Sequence, residues 1–414
     1  MNQQVLTSGR VRLFLNPAAD GPQQAYRDAH REILSRRGFE AAREVISTWP
    51  GHAETRLHAL PGLARALGLG RIDYKDESTR FGLGSFKALG GAYAVNRLLL
   101  REISQRTGRS DLTFADLSRP EFRDVIAGIT VCCATDGNHG RSVAWGAHNA
   151  GCACIIYIHE TVSRGREEAI AAFGAKVVRV PGNYDDAVRR AAEDAAEHGY
   201  FVVSDTSYPG YMDVPRDVMQ GYSVMVQEAL DQLGDAPAPT HVFIQAGVGG
   251  LAAAVTAHLW ETLGPARPRV IVVEPEQADC LYQSALAGKP VAVGGDLDTV
   301  MAGLACGEVS LLAWEILHPG AFAFMVVPDD AALDVMRRLA TSDGGDPPIV
   351  AGESAVAGVA ACMAAALDPA MAAALGLGPD SRVLFFASEG DTDPELYRQI
   401  TGRTAAEVRS GAAS

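Results

Sequence analysis

Residues 129–158, ITVCCATDGNHGRSVAWGAHNAGCACIIYI, decide the fold class. Ile129–Ala134 is a short apolar run of the kind that forms a strand buried on both faces, and Cys154–Ile158 is a second. Between them a turn-forming segment, Thr135–Gly140, leads into Arg141–Asn149, which carries a helical pattern. Strand, helix and strand within thirty residues is the repeating unit of a parallel sheet. The rhythm continues outward. Val177–Val180 and Phe201–Ser204 read as further strands, separated by the helical stretches Arg164–Phe173 and Tyr184–His198. A second series follows, with strands His241–Gln245, Val270–Glu274, Phe324–Val327 and Val383–Ala387 and helices Leu251–Leu263 and Ala331–Leu339.

The expected class is therefore α/β, with two doubly wound open twisted sheets, one in a large and one in a small domain, and the active site between them. A chain of 414 residues exceeds what one core usually organises. The expected division is a discontinuous large domain, 1–90 with 208–414, around a small domain, 91–207. Residues 1–70 carry two polar helical stretches, Pro22–Arg37 and Phe39–Trp49. Leu57, Leu60, Leu63 and Leu67 follow at helical spacing before Arg71–Lys75 begins a strand. This region is expected to wrap the larger domain.

Composition excludes several classes. The net charge is −14, from 36 basic and 50 acidic residues, so no basic stripe is available for a phosphate backbone and no nucleic-acid partner is expected. No window reaches the apolar length of a bilayer span and the N-terminus has no signal pattern, so the expected location is the cytoplasm, away from membranes. Seven cysteines, mostly inside apolar runs, read as reduced core thiols. Cys152 and Cys154 stand too close together for common zinc spacing, and no metal is expected.

Lys75 to Ala94, KDESTRFGLGSFKALGGAYA, is a charged, glycine-bearing turn running into a helix that begins near Ser85 and Phe86. Lys87 then lies in the first turn, where the helix dipole opposes a cation and favours the neutral amine needed for condensation with an aldehyde. Phe86, Ala88, Gly90 and Gly91 around it suit close packing against a flat ligand. In Thr135-Asp136-Gly137-Asn138-His139-Gly140, backbone amides at a helix start are placed to bind a carboxylate. A third segment, Ala246-Gly247-Val248-Gly249-Gly250-Leu251, opens the helix after His241–Gln245, as a phosphate cradle does. Its spacing also satisfies the dinucleotide fingerprint, with Glu274 where a ribose-binding acid would stand, so an NAD-dependent dehydrogenase is the rival of another class. That rival leaves the lysine and Asp-Gly-Asn-His segments unused. Ser388 follows the last strand at the carboxyl edge, where open sheets place ligands, with Glu389 and Asp391 beside it.

These segments together resemble the fold-type II pyridoxal-phosphate (PLP) enzymes, and TDGNHG resembles the diaminopropionate ammonia-lyases among them. The resemblance runs from Arg71 to the EGDTDPELYR segment and is weakest over the first 50 residues. It implies PLP on Lys87, its phosphate on Gly247, Val248, Gly249, Gly250 and Leu251, its phenolic oxygen near Asn138 and its pyridine nitrogen facing Ser388. A neutral hydroxyl there holds the ring less protonated than a carboxylate would, which favours elimination over transamination. The substrate carboxylate falls to the loop of Thr135, Asn138 and His139. Most relatives have Ser or Thr where this chain has Asp136, and the resemblance makes Asp136 the base for a D-substrate and Lys87 for the L-form. Tyr184 and Asp205 match a substrate-contacting tyrosine and a second active-site acid, suited to a substrate with two amines. Cys280 and Cys306 match a cysteine pair near the entrance, so a disulfide and two reduced thiols both stand open for them. Met301–Leu304 and Gly352–Ser354 resemble other cofactor-side loops, and Glu353 suits a helix cap equally well. The implied reaction removes ammonia from 2,3-diaminopropionate and yields pyruvate and two ammonia molecules, in a homodimer whose one partner is a small amino-acid substrate. Within the family the alternative is a dehydratase or lyase for serine, threonine or another β-substituted amino acid. A PLP-binding protein without catalysis is the remaining alternative.

Overall fold

The computed structural model describes residues 5–21, 23–135, 137–341 and 344–411. The strands among them, in chain order, are β1 (Val5–Ser8), β2 (Val11–Leu15), β3 (Arg56–Ala59), β4 (Arg71–Asp76), β5 (Thr130–Ala134), β6 (Ala153–His159), β7 (Lys176–Val180), β8 (Phe201–Val202), β9 (His241–Gln245), β10 (Arg269–Pro275), β11 (Ala323–Val327) and β12 (Arg382–Ala387). They form an eight-stranded sheet ordered β1-β2-β11-β10-β9-β12-β4-β3 and a four-stranded sheet ordered β7-β6-β5-β8. The small sheet is parallel throughout. In the large one the run from β11 to β4 is parallel, while β1, β2 and β3 pair antiparallel at its two edges.

The apolar runs that announced these strands are continuous because both faces are covered. Along β9, Val242 and Ile244 enter one core and Phe243 the other; along β10, Val270 and Val272 part from Ile271 and Val273 in the same way. The first of these cores also takes Val131, Cys133, Ile156 and Ile158 from the small sheet, so one apolar mass spans the space between the sheets. On the small sheet's other face, Cys132 and Tyr157 pack with Ala187 and Ala191 of the helix Tyr184–His198. Burial on this pattern contributes roughly 25 cal/mol per Å² of apolar surface removed from water.

The N-terminal region departs from the sequence reading. The hairpin β1–β2 docks on β11 and extends the large sheet, whereas no strand was expected before Arg71. Leu57 falls in β3, and the helix that follows is short, Pro61–Ala66, because Pro61 supplies a start without an N–H to satisfy. The two polar stretches contract to the helices Asp28–Arg31 and Arg36–Ile46. Phe201–Ser204 stops early, since the Ser204 amide donates to the Tyr211 hydroxyl (2.9 Å) instead of to a neighbouring strand.

The charged turn before the lysine helix is buried. Arg80 donates to both oxygens of Glu77 (2.8 and 2.9 Å) and to both of Glu228 (2.9 and 2.6 Å), and the Lys75 ammonium lies 2.9 Å from Glu228. Two cations against two anions leave no net charge to desolvate alone. Glu228 belongs to the helix Asp213–Leu233, so the network pins the turn, and with it the start of the helix Lys87–Thr107, to that helix.

Candidate active site

Four segments converge where the carboxyl ends of β5, β9 and β12 face the start of the helix Lys87–Thr107. The Phe86 amide donates to the Ser388 carbonyl (3.0 Å), which seats Lys87 beside the end of β12. The Ser85 hydroxyl accepts the Lys87 amide at 3.2 Å, and Ser142 donates to the Lys87 carbonyl at 2.7 Å. Gly90 and Gly91, expected to admit a flat ligand, serve the protein itself. A Cβ at Gly90 would lie 2.4 Å from the Tyr222 ring, and one at Gly91 would lie 2.3 Å from the Ser142 hydroxyl.

The Lys87 ammonium lies 2.5 Å from Asp205, and both side chains are mostly buried, at 20% and 17% exposure. The helix dipole alone predicted a neutral amine, and the carboxylate reverses that expectation. Burial pushes the amine down, Asp205 pushes it up more strongly, and the net shift is upward. The same pair holds Asp205 below the usual carboxylate range: burial raises it, and the charges of Lys87 and His139 lower it further than that. His139 is 7% exposed and its Nε2 lies 2.7 Å from the Val203 carbonyl. A carbonyl only accepts, so Nε2 carries the proton, and Nδ1 faces Asp205 at 3.9 Å.

Asp136 lies outside the described residues. On either side of it the loop is built by Thr135, whose hydroxyl accepts the amides of Gly137 (3.0 Å) and Gly140 (3.1 Å). Thr135 therefore shapes the loop with its side chain, leaving the helix-start amides of Asn138 and His139 for an incoming anion. The Asn138 amide nitrogen donates to Glu389, which also accepts the Ser354 amide at 3.1 Å. Glu389 is thus neither solvated nor idle: it ties the Asp-Gly-Asn-His loop to the end of β12. Asp391, by contrast, pairs with Arg409 at 3.1 Å. Tyr184 begins the helix after β7 and keeps 39% exposure, at the same carboxyl edge of the small sheet as Thr135 but two strands away.

The glycine loop has the features a phosphate needs. The 14-residue helix Gly250–Leu263 has no side chain capping its N-terminus and no acid in its first turn. Among the described residues, the amides from Gly247 to Leu251 donate to no backbone carbonyl. Gly249 has φ +100°, a left-handed conformation that favours glycine, and a Cβ on Gly247 would come within 2.9 Å of the Cys306 sulfur. These bare amides, the adjoining lysine and the 5% exposed Ser388 fit a phosphorylated aldehyde cofactor. The dinucleotide alternative loses its acid. Glu274 is fully buried and accepts the amides of Leu281 (2.8 Å) and Tyr282 (2.7 Å), and burial raises its carboxyl to about 8. It caps a helix and faces no ribose.

Residues 48–389 match the family described as pyridoxal-phosphate dependent enzyme. The chain belongs to that family. Within it, diaminopropionate ammonia-lyase of Escherichia coli K12 is 40% identical over 373 residues, covering 89% of this chain and 92% of the relative. The solved holo structure of the E. coli diaminopropionate ammonia lyase superposes with a TM-score of 0.85 at 36% identity, covering 96% of this chain and 98% of that one. A second structure of that enzyme, in complex with an aminoacrylate-PLP azomethine reaction intermediate, gives 0.84 at 36% identity, with 96% and 97% covered. The fold-type II reading of the sequence therefore stands.

Several contacts near the site go beyond the sequence reading. Tyr222 and Phe86 form an aromatic wall beside Lys87, with ring centroids 4.5 Å apart. Arg166, from the helix Arg164–Ala171 of the small sheet, reaches Glu353 at 2.9 Å. Burial and the neighbouring Glu389 raise Glu353 to about 8, although Arg166 opposes this. Cys280 and Cys306 are not bridged in this structure, and the Cys280 sulfur contacts Glu274 at 3.6 Å. Glu353 does not cap the helix Ala357–Leu367, which starts four residues later without a side-chain cap, and neither a turn acid nor a tyrosine inside a helix carries a local signal of such contacts.

Proposed function

We propose that the protein is a PLP-dependent ammonia-lyase that removes the β-amino group of 2,3-diaminopropionate and gives pyruvate and two molecules of ammonia. The observation that carries this reading is the buried Lys87–Asp205 pair beside a bare glycine loop, in a chain 40% identical to diaminopropionate ammonia-lyase over 89% of its length. The cofactor, when bound, supplies an electron sink that acidifies the α-carbon.

The remaining chemistry belongs to this chain's own residues. Lys87 carries the cofactor, and the amides of Gly247, Val248, Gly249, Gly250 and Leu251 hold its phosphate, with Asn138 and Ser388 at the ring. The amides at Asn138 and His139, in the loop shaped by Thr135, orient the substrate carboxylate, and Tyr184 closes over it from the edge of the small sheet. The freed Lys87 amine takes the α-proton of the L-isomer, and Asp136 takes that of the D-isomer. Asp205, held as a carboxylate, faces the distal ammonium and keeps it protonated, so that it leaves as neutral ammonia. The released enamine hydrolyses to pyruvate and the second ammonia.

The discontinuous division, 1–90 with 208–414 against 91–207, is supported by the small sheet, whose strands all come from residues 130–202. We place the enzyme in the cytoplasm as a homodimer; no single helix among the described residues is long and apolar enough to cross a membrane. The test is a screen for keto-acid release across β-substituted amino acids of both hands. Diaminopropionate is expected to be the preferred substrate. Keto acid from serine or threonine, with none from either diaminopropionate isomer, would replace this reading with a dehydratase.

A further inference from the structure

Tyr222 stands in the aromatic wall with no role in the reaction described above. Its helix, Asp213–Leu233, approaches the lysine helix unusually closely. A Cβ at Gly221 would fall 2.1 Å from the Leu89 carbonyl, and one at Gly90 would fall 2.4 Å from the Tyr222 ring. Two glycines thus let a tyrosine reach the first turn of the lysine helix. There the Tyr222 hydroxyl is buried and makes no well-formed hydrogen bond among the described residues, with Lys87 as the cation that acts on it, an arrangement that native structures rarely leave uncompensated. The Lys87 nitrogen lies 5.9 Å from the Tyr222 ring centroid and 5.5 Å from that of Phe86. Burial drives the phenol upward, and the Lys87 charge is the main influence opposing it.

We propose that Tyr222 is a positioning residue for Lys87: whenever the amine leaves Asp205, the phenol oxygen accepts one of its N–H bonds and holds it in the site. In turnover of the L-isomer the proton passes from the substrate α-carbon to Lys87, and Tyr222 keeps its own proton throughout. The oxygen stabilises the ammonium so formed and makes the amine a stronger base. Asp205, Cys306 and Cys133 also face Lys87, and His139 acts on it through Asp205. The kinetic part of the proposal rests on Lys87 being the base for the L-isomer.

Tyr222→Phe keeps the ring in the Gly90 notch and removes only the oxygen. In the holoenzyme, kcat for L-diaminopropionate is expected to fall about tenfold and its acidic limb to move about one pH unit lower, a tenfold effect being one unit. KM and D-isomer turnover are expected to stay within about twofold. A second measurement is independent of turnover. In the cofactor-free full chain labelled at lysine, NMR titration of Lys87 compares Asp205→Asn with Asp205→Asn/Tyr222→Phe. The double variant is expected to titrate about one unit lower. Identical midpoints overturn the proposal whatever the kinetics. A lowered midpoint with L-isomer turnover unchanged keeps Tyr222 in place and refutes Lys87 as the base.

Discussion

Asp205→Asn in the cofactor-free protein separates the charge of the central pair from its shape. The pair spans 2.5 Å, with 20% and 17% of the two side chains exposed. Breaking a buried pair from one side costs about 3–5 kcal/mol, and the residual exposure places this one near about 3 kcal/mol at pH 7. The pH dependence follows from the directions of the shifts. In the wild type Lys87 is raised, so its contribution is complete below the ordinary lysine value of about 10.4 and is lost only as pH rises through the higher folded value. Asp205 is depressed, so its contribution is present above about 4 and is lost as pH falls through the folded value. Stability from the pair is therefore flat between pH 7 and 10. In the variant, burial acts on Lys87 without the opposing carboxylate and its amine falls below the ordinary value. The unfolded chain then binds more protons than the folded one, and stability rises with pH by up to about 1.4 kcal/mol per unit. Urea unfolding should show a deficit of about 3 kcal/mol at pH 7 that shrinks toward pH 10. A deficit under about 1 kcal/mol at pH 7, typical of an exposed pair, or one that persists unchanged at pH 10, would refute the reasoning.

Three further outcomes are expected. Asp136→Asn should remove D-isomer turnover while leaving much of the L-isomer rate, and equal loss on both isomers in steady-state assays would remove its stereospecific role. Gly249→Ala forces a left-handed backbone on alanine and brings a methyl within 3.1 Å of Ala313, so cofactor affinity read from PLP absorbance should drop and stability should fall by more than about 1 kcal/mol. Glu353, raised to about 8 by burial and Glu389, is deprotonated in the unfolded chain before the folded one, so wild-type stability should decline from about pH 5 to 8. Glu353→Gln should reduce that decline, with the share of Glu274, also raised to about 8, left in place, and denaturation midpoints at the two pH values that keep the full wild-type slope would contradict the assignment.

The sheets were legible because their strands are covered on both sides. His241–Gln245 was read with its observed ends, and β10, β11 and β12 within a residue or two, since Val, Ile and Phe alternate between two cores and polar residues stand only toward the ends of the runs. β1 and β3 were not, because edge strands that pair on one side carry exposed residues such as Val5, Thr7 and Arg56 and blur into the polar helical background, and β2, although paired on both sides, is a five-residue run interrupted by Arg12. The site followed the same rule of locality. Lys87, Asn138 and the glycine loop announce themselves through contiguous segments, each a strand or turn opening a helix. Tyr222 gains its place from Gly90 and Lys87, and Glu353 its ion pair from Arg166, all more than a hundred residues away in sequence, and Asp205 showed itself only through family resemblance. Gly90 was recognised as a close-approach position, but its partner is Tyr222, which no local pattern reveals. The dipole at Lys87 pointed to a neutral amine because its opposing carboxylate comes from the segment after β8.

Elimination of the β-amine, followed by hydrolysis of the enamine, fixes the ratio of the products. Purified holoenzyme given 2,3-diaminopropionate should release two ammonia molecules for each pyruvate, with no other keto acid formed. One ammonia for each keto acid, or ammonia without pyruvate, would contradict it.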